Sequence, residues 1–328
     1  MSLGIPGLDA KLEQTLVADM QKVEDLLRSH IVGKYPLVIE TSRHLVEAGG
    51  KRLRPLLTLL ASQFGKPGNN QIIQAAVVCE LTHLATLYHD DVMDEAPLRR
   101  GVQSANSRWN NTVAILTGDY LFAKTSALLA DLGPEAVRIH AHTFERLVIG
   151  QIMETQGTSK DISLLEHYTQ VIADKTGSLI ATSARYGAIF ANASQRDIDI
   201  LTEYGEKIGI LFQLADDIID IASESAESGK TPGTDLREGV ATMVTVHILA
   251  SDDPADAQLK ALLSAPIHDE AVVASTLITL RTHKAMEISR NLLVKYSDEA
   301  KKLVAGLPDC PAKDALVSLC DAIITRTS

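Results

Sequence analysis

Two stretches of this chain gather carboxylates where an apolar helix would otherwise be expected. "LYHDDVMDEAPLRRG" (87–101) carries Asp90, Asp91 and Asp94 beside Leu87 and Val92, and "FQLADDIIDIAS" (212–223) carries Asp216, Asp217 and Asp220 beside Leu214, Ile218 and Ile219. At about 100° per residue, aspartates four apart on a helix lie one above the other, with the intervening one alongside. Like charges at that spacing cost an isolated helix about 0.2–0.5 kcal/mol, so local helix stability gives no reason for either cluster. Carboxylates set among apolar side chains are driven to protonate unless a cation compensates them. Carboxylate sites with no His or Cys pairing favour hard ions, and Mg²⁺ held by a few carboxylates and phosphate oxygens fits. EF-hand spacing and its glycine are absent. A solvated acidic face is the plain alternative for either cluster alone; a matching pair of DDxxD segments argues against it.

A metal bound to carboxylates needs a ligand, and the basic residues indicate which. Lys51, Arg52 and Arg54 precede the first cluster in "GGKRLRP", and Arg99 and Arg100 follow it. Lys175 stands in "DKTGSL" and Lys230 in a polar stretch after the second cluster. Each alone reads as an ordinary surface cation, but guanidinium and ammonium groups flanking both acidic clusters suit a diphosphate.

The elements that position these residues read as successive helices. Leu12, Leu16, Val17, Met20, Val23 and Leu27 fall at three- and four-residue spacing, an amphipathic helix. Pro55 suits the first turn of "PLLTLLASQF", and 71–96 reads as one long buried helix ended or bent by Pro97. Helical patterns resume over 112–130, 135–156, 164–190 and 197–221, and "SESAESGKTPGTDLREG" (223–239) reads as an active-site flap or mobile loop. Hydrophobic residues make up 45% and aromatics 4%, with little that favours strands. The expectation is one all-α domain over 1–328, with residues 1–7 set aside as disordered or expression-derived. The charge, 31 Lys and Arg against 42 Asp and Glu, is −11 and disfavours nucleic acid as a partner. Cys79, Cys310 and Cys320 have no metal-ligand spacing, so a reducing cytoplasm is expected. No long apolar run or signal peptide is apparent, and the chain is expected to be neither membrane-spanning nor secreted.

The motifs "GGKRLRP", "ELTHLATLYHDDVMD", "LRRG", "GDYL", "DKTGSL", "FQLADDIID" and "GKTPGTDLREG", in this order, resemble those of the trans-type (all-E) isoprenyl diphosphate synthases, from about residue 40 to the C-terminus. The resemblance implies the isoprenoid synthase type I fold, a single large helical bundle around a central cavity, with the two aspartate-rich helices facing each other across its mouth. It implies that Asp90, Asp91, Asp94, Asp216 and Asp217 hold Mg²⁺, with Asp220 close by and acting through water. Arg99, Lys175, Gln213 and Lys230 would bind the allylic diphosphate, and Lys51, Arg54, His83 and Arg100 the diphosphate of isopentenyl diphosphate. Thr176 and Gln213 would set their oxygen dipoles near a developing carbocation. The implied reaction is ionisation of the allylic C–O bond, condensation and proton loss to the released diphosphate. A homodimer is implied too, and peripheral membrane contact at product release is expected.

In this family the growing tail passes the residues just before the first DDxxD. Here Thr82, Ala85 and Thr86 are small, so the upper tunnel is expected to be open, with Phe122 and residues near Ile149 as candidates for its floor. A helical turn of about 5.4 Å is comparable to one isoprene unit, which points to a medium- or long-chain product, roughly C30 to C50, suited to a quinone side chain. A farnesyl or geranylgeranyl product is the alternative. Val240 stands where the family often has a second flap lysine, a loss Arg237 could offset, and "TMV" (242–244) replaces the usual "TLP". A class I terpene cyclase and a non-catalytic synthase subunit are the rival readings. The second full DDxxD and "GGKRLRP" argue against the cyclase, and the retention of every aspartate argues against the subunit.

Overall fold

The computed structural model describes residues 3–158, 161–223 and 232–327. Helices dominate: α1 (Ala10–His30), α2 (Pro36–Glu47), α3 (Leu53–Ser62) and α4 (Asn70–Met93) precede a short ribbon, β1 (Leu98–Arg99) and β2 (Val102–Gln103). Then come α5 (Ala105–Arg108), α6 (Asn111–Leu132), α7 (Pro134–Gln156), α8 (Leu164–Ile172), α9 (Ser178–Phe190) and α10 (Gln195–Ala222). The chain continues through α11 (Thr234–Glu238), α12 (Met243–Leu249), α13 (Ala257–Leu263), α14 (Glu270–Thr282), α15 (Lys284–Ala305) and α16 (Pro311–Thr325). Of the leader set aside from the sequence, residues 3–7 are described, and Ile5 is buried.

The backbone clusters into two compact units, each assembled from separate stretches of chain. One comprises Met1–Phe144, Leu179–Gly205 and Gly306–Leu316; the other comprises Glu145–Ser178, Glu206–Ala305 and Val317–Ser328. In the first unit α4 is the hub, packed against α1, α3 and α6. Its residues Ala75 to Leu81 are almost entirely solvent-free, apolar except for the buried Glu80. In the second unit α12 packs on α8 and α15.

Local differences from the periodicity have physical causes. α4 stops at Met93 rather than at Pro97, because Glu95 turns into the left-handed region at φ +48°. Asp94 keeps its place above Asp90, its N–H donating to the Asp90 carbonyl at 2.8 Å. The stretch 164–190 is not one regular helix: Ala173–Gly177 form a π-helical turn between α8 and α9, in which the Ser178 N–H donates to the carbonyl of Ala173, five residues back. The sequence showed no membrane-length apolar run, yet α6 is long and apolar enough by composition to cross a membrane. Its Leu121, Leu128 and Ala114 are buried, while Ile115 and Leu116 are exposed.

Candidate active site

The first unit builds a cationic cradle around "GGKRLRP". Arg52 enters α3 in the left-handed region at φ +49°, a conformation that costs a non-glycine residue about 1–2 kcal/mol. A buried ion network offsets that cost. Arg52 Nε donates to Glu24 Oε1 at 2.5 Å, Nη1 to Glu80 Oε1 at 2.7 Å, and Nη2 to the Val46 carbonyl at 3.1 Å. Arg52 therefore holds the structure together, and it consumes both buried glutamates. Arg54 and Arg100 are left less compensated: burial pulls both guanidinium pKa values down, with Glu80 opposing, and the charge of Arg100 adds to the effect on Arg54 as those of Arg52 and Arg99 do on Arg100. The Arg54 Nε is buried with no hydrogen-bond acceptor. Burial and the surrounding arginines hold His83 well below the usual imidazole range, so it is neutral and takes part as a hydrogen-bonding group rather than a cation. Lys51 is exposed at the edge. This excess of positive charge over carboxylate suits a multiply charged anion.

The "LRRG" segment is a tight hairpin, which the sequence reading missed. Leu98 pairs with Gln103 and Arg99 with Val102, leaving Arg100 and Gly101 as the loop, both with positive φ (+54° and +78°). That two-residue loop is the geometry favoured for hairpins. It sends the neighbouring arginines to different places: Arg100 donates to the Leu45 carbonyl at 2.9 Å and to the Gly49 carbonyl, while Arg99 Nε meets Asp91 Oδ1 at 2.5 Å. Asp91 is wholly buried, and its other oxygen has no hydrogen-bond donor. Burial pushes the Asp91 carboxyl up and Arg99 only partly restores it. Burial acts against the charge on Arg99 as well, but Asp91, Asp90 and Asp94 more than offset it.

The second unit carries the other acidic cluster on α10. Asp217 is 3% exposed and accepts from the Tyr168 hydroxyl, from Gln213 Nε2 at 3.0 Å and from the Met243 N–H at 3.0 Å. Even so, burial pushes its carboxyl up to about 6. The variant "TMV" segment is what supplies the Met243 donor, at the first turn of α12 behind the Thr242 cap. Asp216 Oδ1 lies 2.9 Å from Arg326, more than a hundred residues away in sequence. Asp220 caps α11, accepting from the N–H groups of Thr234 at 3.1 Å and Asp235 at 3.3 Å. Thr176, in the π-helical turn, donates to Gln213 Oε1 at 3.3 Å, so the two residues expected beside a carbocation meet. Lys175 Nζ pairs with Glu154.

Lys230 lies outside the described residues, as do 224–231 of the expected flap; 232–239 forms α11 and its flanks. Arg237, expected to offset the missing flap lysine, is paired in the structure. It pairs through Nε and Nη2 with Glu270 at 2.8 and 2.7 Å and donates to the Pro232 carbonyl at 2.7 Å. At the tunnel positions, Thr82 and Ala85 are fully buried and Thr86 is half-buried. The Thr82 hydroxyl donates to the Val78 carbonyl and stands 2.8 Å from His140 Nε2. A row of rings, His89, Phe122, Phe144 and His140, runs beside this face of α4 with centroids 4.7–6.2 Å apart.

Among the described residues, no three acidic, histidine or cysteine side chains already converge as ligands of one ion. Mg²⁺ does not require that, since it keeps several waters and takes one or two carboxylates with substrate phosphate oxygens. In the first unit the donor-less buried oxygen of Asp91 suits a hard divalent cation, and in the second the buried, raised carboxyl of Asp217 suits one as well. Arg52, read with the diphosphate cations, is spent on Glu24 and Glu80 instead, and Tyr168 and Arg326 were assigned no role from the sequence. The partners of Tyr168 and Arg326 lie 49 and 110 positions away, and no local pattern points to them.

Residues 35–280 match the family model described as polyprenyl synthetase. The chain is 46% identical over 324 residues to a nonaprenyl diphosphate synthase of Mycobacterium tuberculosis, covering 98% of this chain and 97% of that protein. It is similar to the crystal structure of a geranylgeranyl pyrophosphate synthase from Corynebacterium glutamicum complexed with calcium and isoprenyl diphosphate, with TM-score 0.87, 43% identity, and 97% and 98% of the two chains covered. It is likewise similar to a decaprenyl diphosphate synthase from Rhodobacter capsulatus, with TM-score 0.88, 33% identity, and 97% and 99% covered.

Proposed function

We propose residue roles and a product class for a chain that belongs to the polyprenyl synthetase family and is a prenyltransferase. Its fold is the all-α isoprenoid synthase type I fold. The family joins isopentenyl diphosphate to an allylic diphosphate, and the product we assign here is a medium- or long-chain all-E polyprenyl diphosphate. The observation that carries the site assignment is Asp91: a buried carboxylate with one oxygen on Arg99 and the other without a donor, beside a cradle of under-compensated cations.

Arg54 and Arg100, with Lys51 at the edge, bind the isopentenyl diphosphate phosphates, and neutral His83 adds a hydrogen bond. Arg99 and Lys175, joined by Lys230, bind the allylic diphosphate; for the first two this means exchanging Asp91 and Glu154 for phosphate oxygens. Asp90, Asp91, Asp94, Asp216 and Asp217 would hold Mg²⁺, which when bound supplies Lewis-acid stabilisation of charge on the departing diphosphate. Asp220, which caps α11, would stand by the metal and act through water. Thr176 and Gln213 turn oxygen dipoles toward the allylic carbon as its bond to oxygen breaks, where fixed dipoles stabilise developing charge. The isopentenyl double bond attacks that carbon and a proton leaves to the released diphosphate. Water that would quench the cation must be kept from it.

The long-chain assignment is supported by the nonaprenyl and decaprenyl names of similar proteins. The geranylgeranyl synthase similarity and the ring row beside Thr82 favour a shorter product as the second reading. We infer in addition one functional domain, a homodimer in the cytoplasm and peripheral membrane contact at product release. The exposed apolar Ile115 and Leu116 on α6 support a buried partner surface, which light scattering behind size exclusion tests. The deciding assay uses purified protein, Mg²⁺ and labelled isopentenyl diphosphate with geranyl, farnesyl or geranylgeranyl diphosphate, reading product length by mass after dephosphorylation. A ladder well beyond geranylgeranyl supports the first reading, a stop at farnesyl or geranylgeranyl the second. No extension by the folded protein refutes both.

A further inference from the structure

One stripe of α7 holds the π-helical turn at Ala173–Gly177, and its anchor is a residue with no assigned role. Arg146, Gly150 and Glu154 recur every four residues and so share a face. Arg146 Nε donates to Asp174 Oδ1 at 2.7 Å, while its Nη2 reaches Glu206 Oε1 on α10 at 2.9 Å. The second Asp174 oxygen accepts from Gln170 Nε2 at 2.5 Å, and its backbone carbonyl accepts from the Ser178 hydroxyl at 2.5 Å. Asp174 is 6% exposed, so its charge is compensated chiefly by this one guanidinium. Backbone spacing reinforces the grip: a Cβ at Gly150 would stand 2.5 Å from the Lys175 nitrogen, and one at Gly209 of α10 would stand 2.6 Å from the Gly177 Cα.

The fork therefore ties two elements that must act in register. The π-helical turn carries Lys175 and Thr176. Seven, ten and eleven residues beyond Glu206, α10 carries Gln213, Asp216 and Asp217. Thr176 meets Gln213 at 3.3 Å, longer than an ordinary hydroxyl hydrogen bond, so a small slip of the turn against α10 would break it, while Gln213 holds Asp217 at 3.0 Å within α10 itself. A π-helical turn is a poor hydrogen-bonding geometry that persists only where its surroundings impose it.

We propose that Arg146 is a positioning residue for the allylic half of the reaction: by bridging Asp174 and Glu206 it holds the π-helical turn against α10, so that Lys175 and Thr176 face the allylic diphosphate in register with Gln213. Arg146 reaches no substrate itself and acts through those residues. The proposal rests on the assignment of Lys175 to the allylic diphosphate given above. The residues assigned to isopentenyl diphosphate, Lys51, Arg54, His83 and Arg100, are all carried by the other compact unit, so the two substrates should respond differently.

The test measures steady-state constants for each substrate in Arg146→Leu, Arg146→Lys and Glu206→Gln, with circular dichroism melts to establish folding. Arg146→Leu should lower kcat/KM for the allylic diphosphate about 10- to 100-fold, as misplacement of a positioned group by a fraction of an ångström does, with the KM for isopentenyl diphosphate within about twofold. Arg146→Lys keeps the charge but loses the fork, and should recover part of the loss. Glu206→Gln, at a half-exposed side chain where folding is not at risk, should show the same allylic-selective loss in smaller size, and it decides the matter if Arg146→Leu does not fold. Allylic constants that stay at wild-type values, or equal changes for both substrates, overturn the proposal. Lys175→Ala is run alongside: if it leaves the allylic KM unchanged, the assignment of Lys175 fails, a result distinct from failure of Arg146.

Discussion

The contact between Thr82 and His140 makes a prediction whose size follows from the structure. The Thr82 hydroxyl gives its hydrogen to the Val78 carbonyl at 2.8 Å, so toward His140 Nε2, also at 2.8 Å, it can only accept. His140 must therefore carry its proton on Nε2, and charging it would add a second proton on Nδ1. Its ring lies beside Phe144 at 6.2 Å, and burial lowers its pKa from 6.5 to about 4. The folded-state pKa lies below the unfolded one, so the unfolded chain takes up a proton that the folded chain refuses. Stability from this site is intact above about pH 6.5 and drains away as pH falls toward 4. The complete loss is about 3 kcal/mol, of which about 2 kcal/mol is felt at pH 5. Solvent on the open side of this half-buried ring screens part of that, leaving about 1–2 kcal/mol. His140→Gln keeps a donor for Thr82 and removes the titration. Urea unfolding at pH 7 and pH 5 should show wild type losing about 1–2 kcal/mol more than the variant between the two. Parallel pH profiles, or an imidazole that titrates near 6.5 by NMR, would refute the reasoning.

Three further outcomes follow from named contacts. Asp90→Ala with Asp91→Ala should abolish prenyl transfer while the circular dichroism melt stays cooperative; retained turnover removes these residues from the chemistry. Arg52→Ala leaves Glu24 and Glu80 buried without their cation and should cost about 3–5 kcal/mol in chemical denaturation, whereas a surface pair such as Arg138 with Glu135 should cost about 1 kcal/mol or less. Ala85→Phe places a ring on the fully buried tunnel face of α4 and should shorten the product, read as a shift of the mass ladder toward smaller polyprenols at retained extension activity.

Much of the site was legible because its chemistry is local in sequence. DDxxD puts its carboxylates on one helical face whatever the rest of the chain does, since the period is fixed at about 3.6 residues per turn. The neighbouring arginines in "GGKRLRP" and "LRRG" announce an anion. Their division of labour was not legible. Arg52 and Arg54 are two residues apart, yet one is consumed by Glu24 and Glu80 and the other keeps an acceptor-less nitrogen. Arg99 and Arg100 are adjacent, yet a two-residue hairpin loop turns one to Asp91 and the other to Gly49. The small residues Thr82, Ala85 and Thr86 pointed to open space, but what stands beside them comes from α6 and α7.

The sequence by itself determined the helices, through the spacing of apolar residues, and the acidic and basic motifs, through a fixed rotation per residue. Only the tertiary structure decided which charges are spent and which remain for a ligand. That depends on burial and on partners brought from far along the chain, as Tyr168 is to Asp217, Arg326 to Asp216 and Arg146 to Glu206. The same cause explains the π-helical turn at Lys175: no local propensity asks for it, and it exists because α7 and α10 close on it at Gly150 and Gly209, where no side chain keeps the backbones apart.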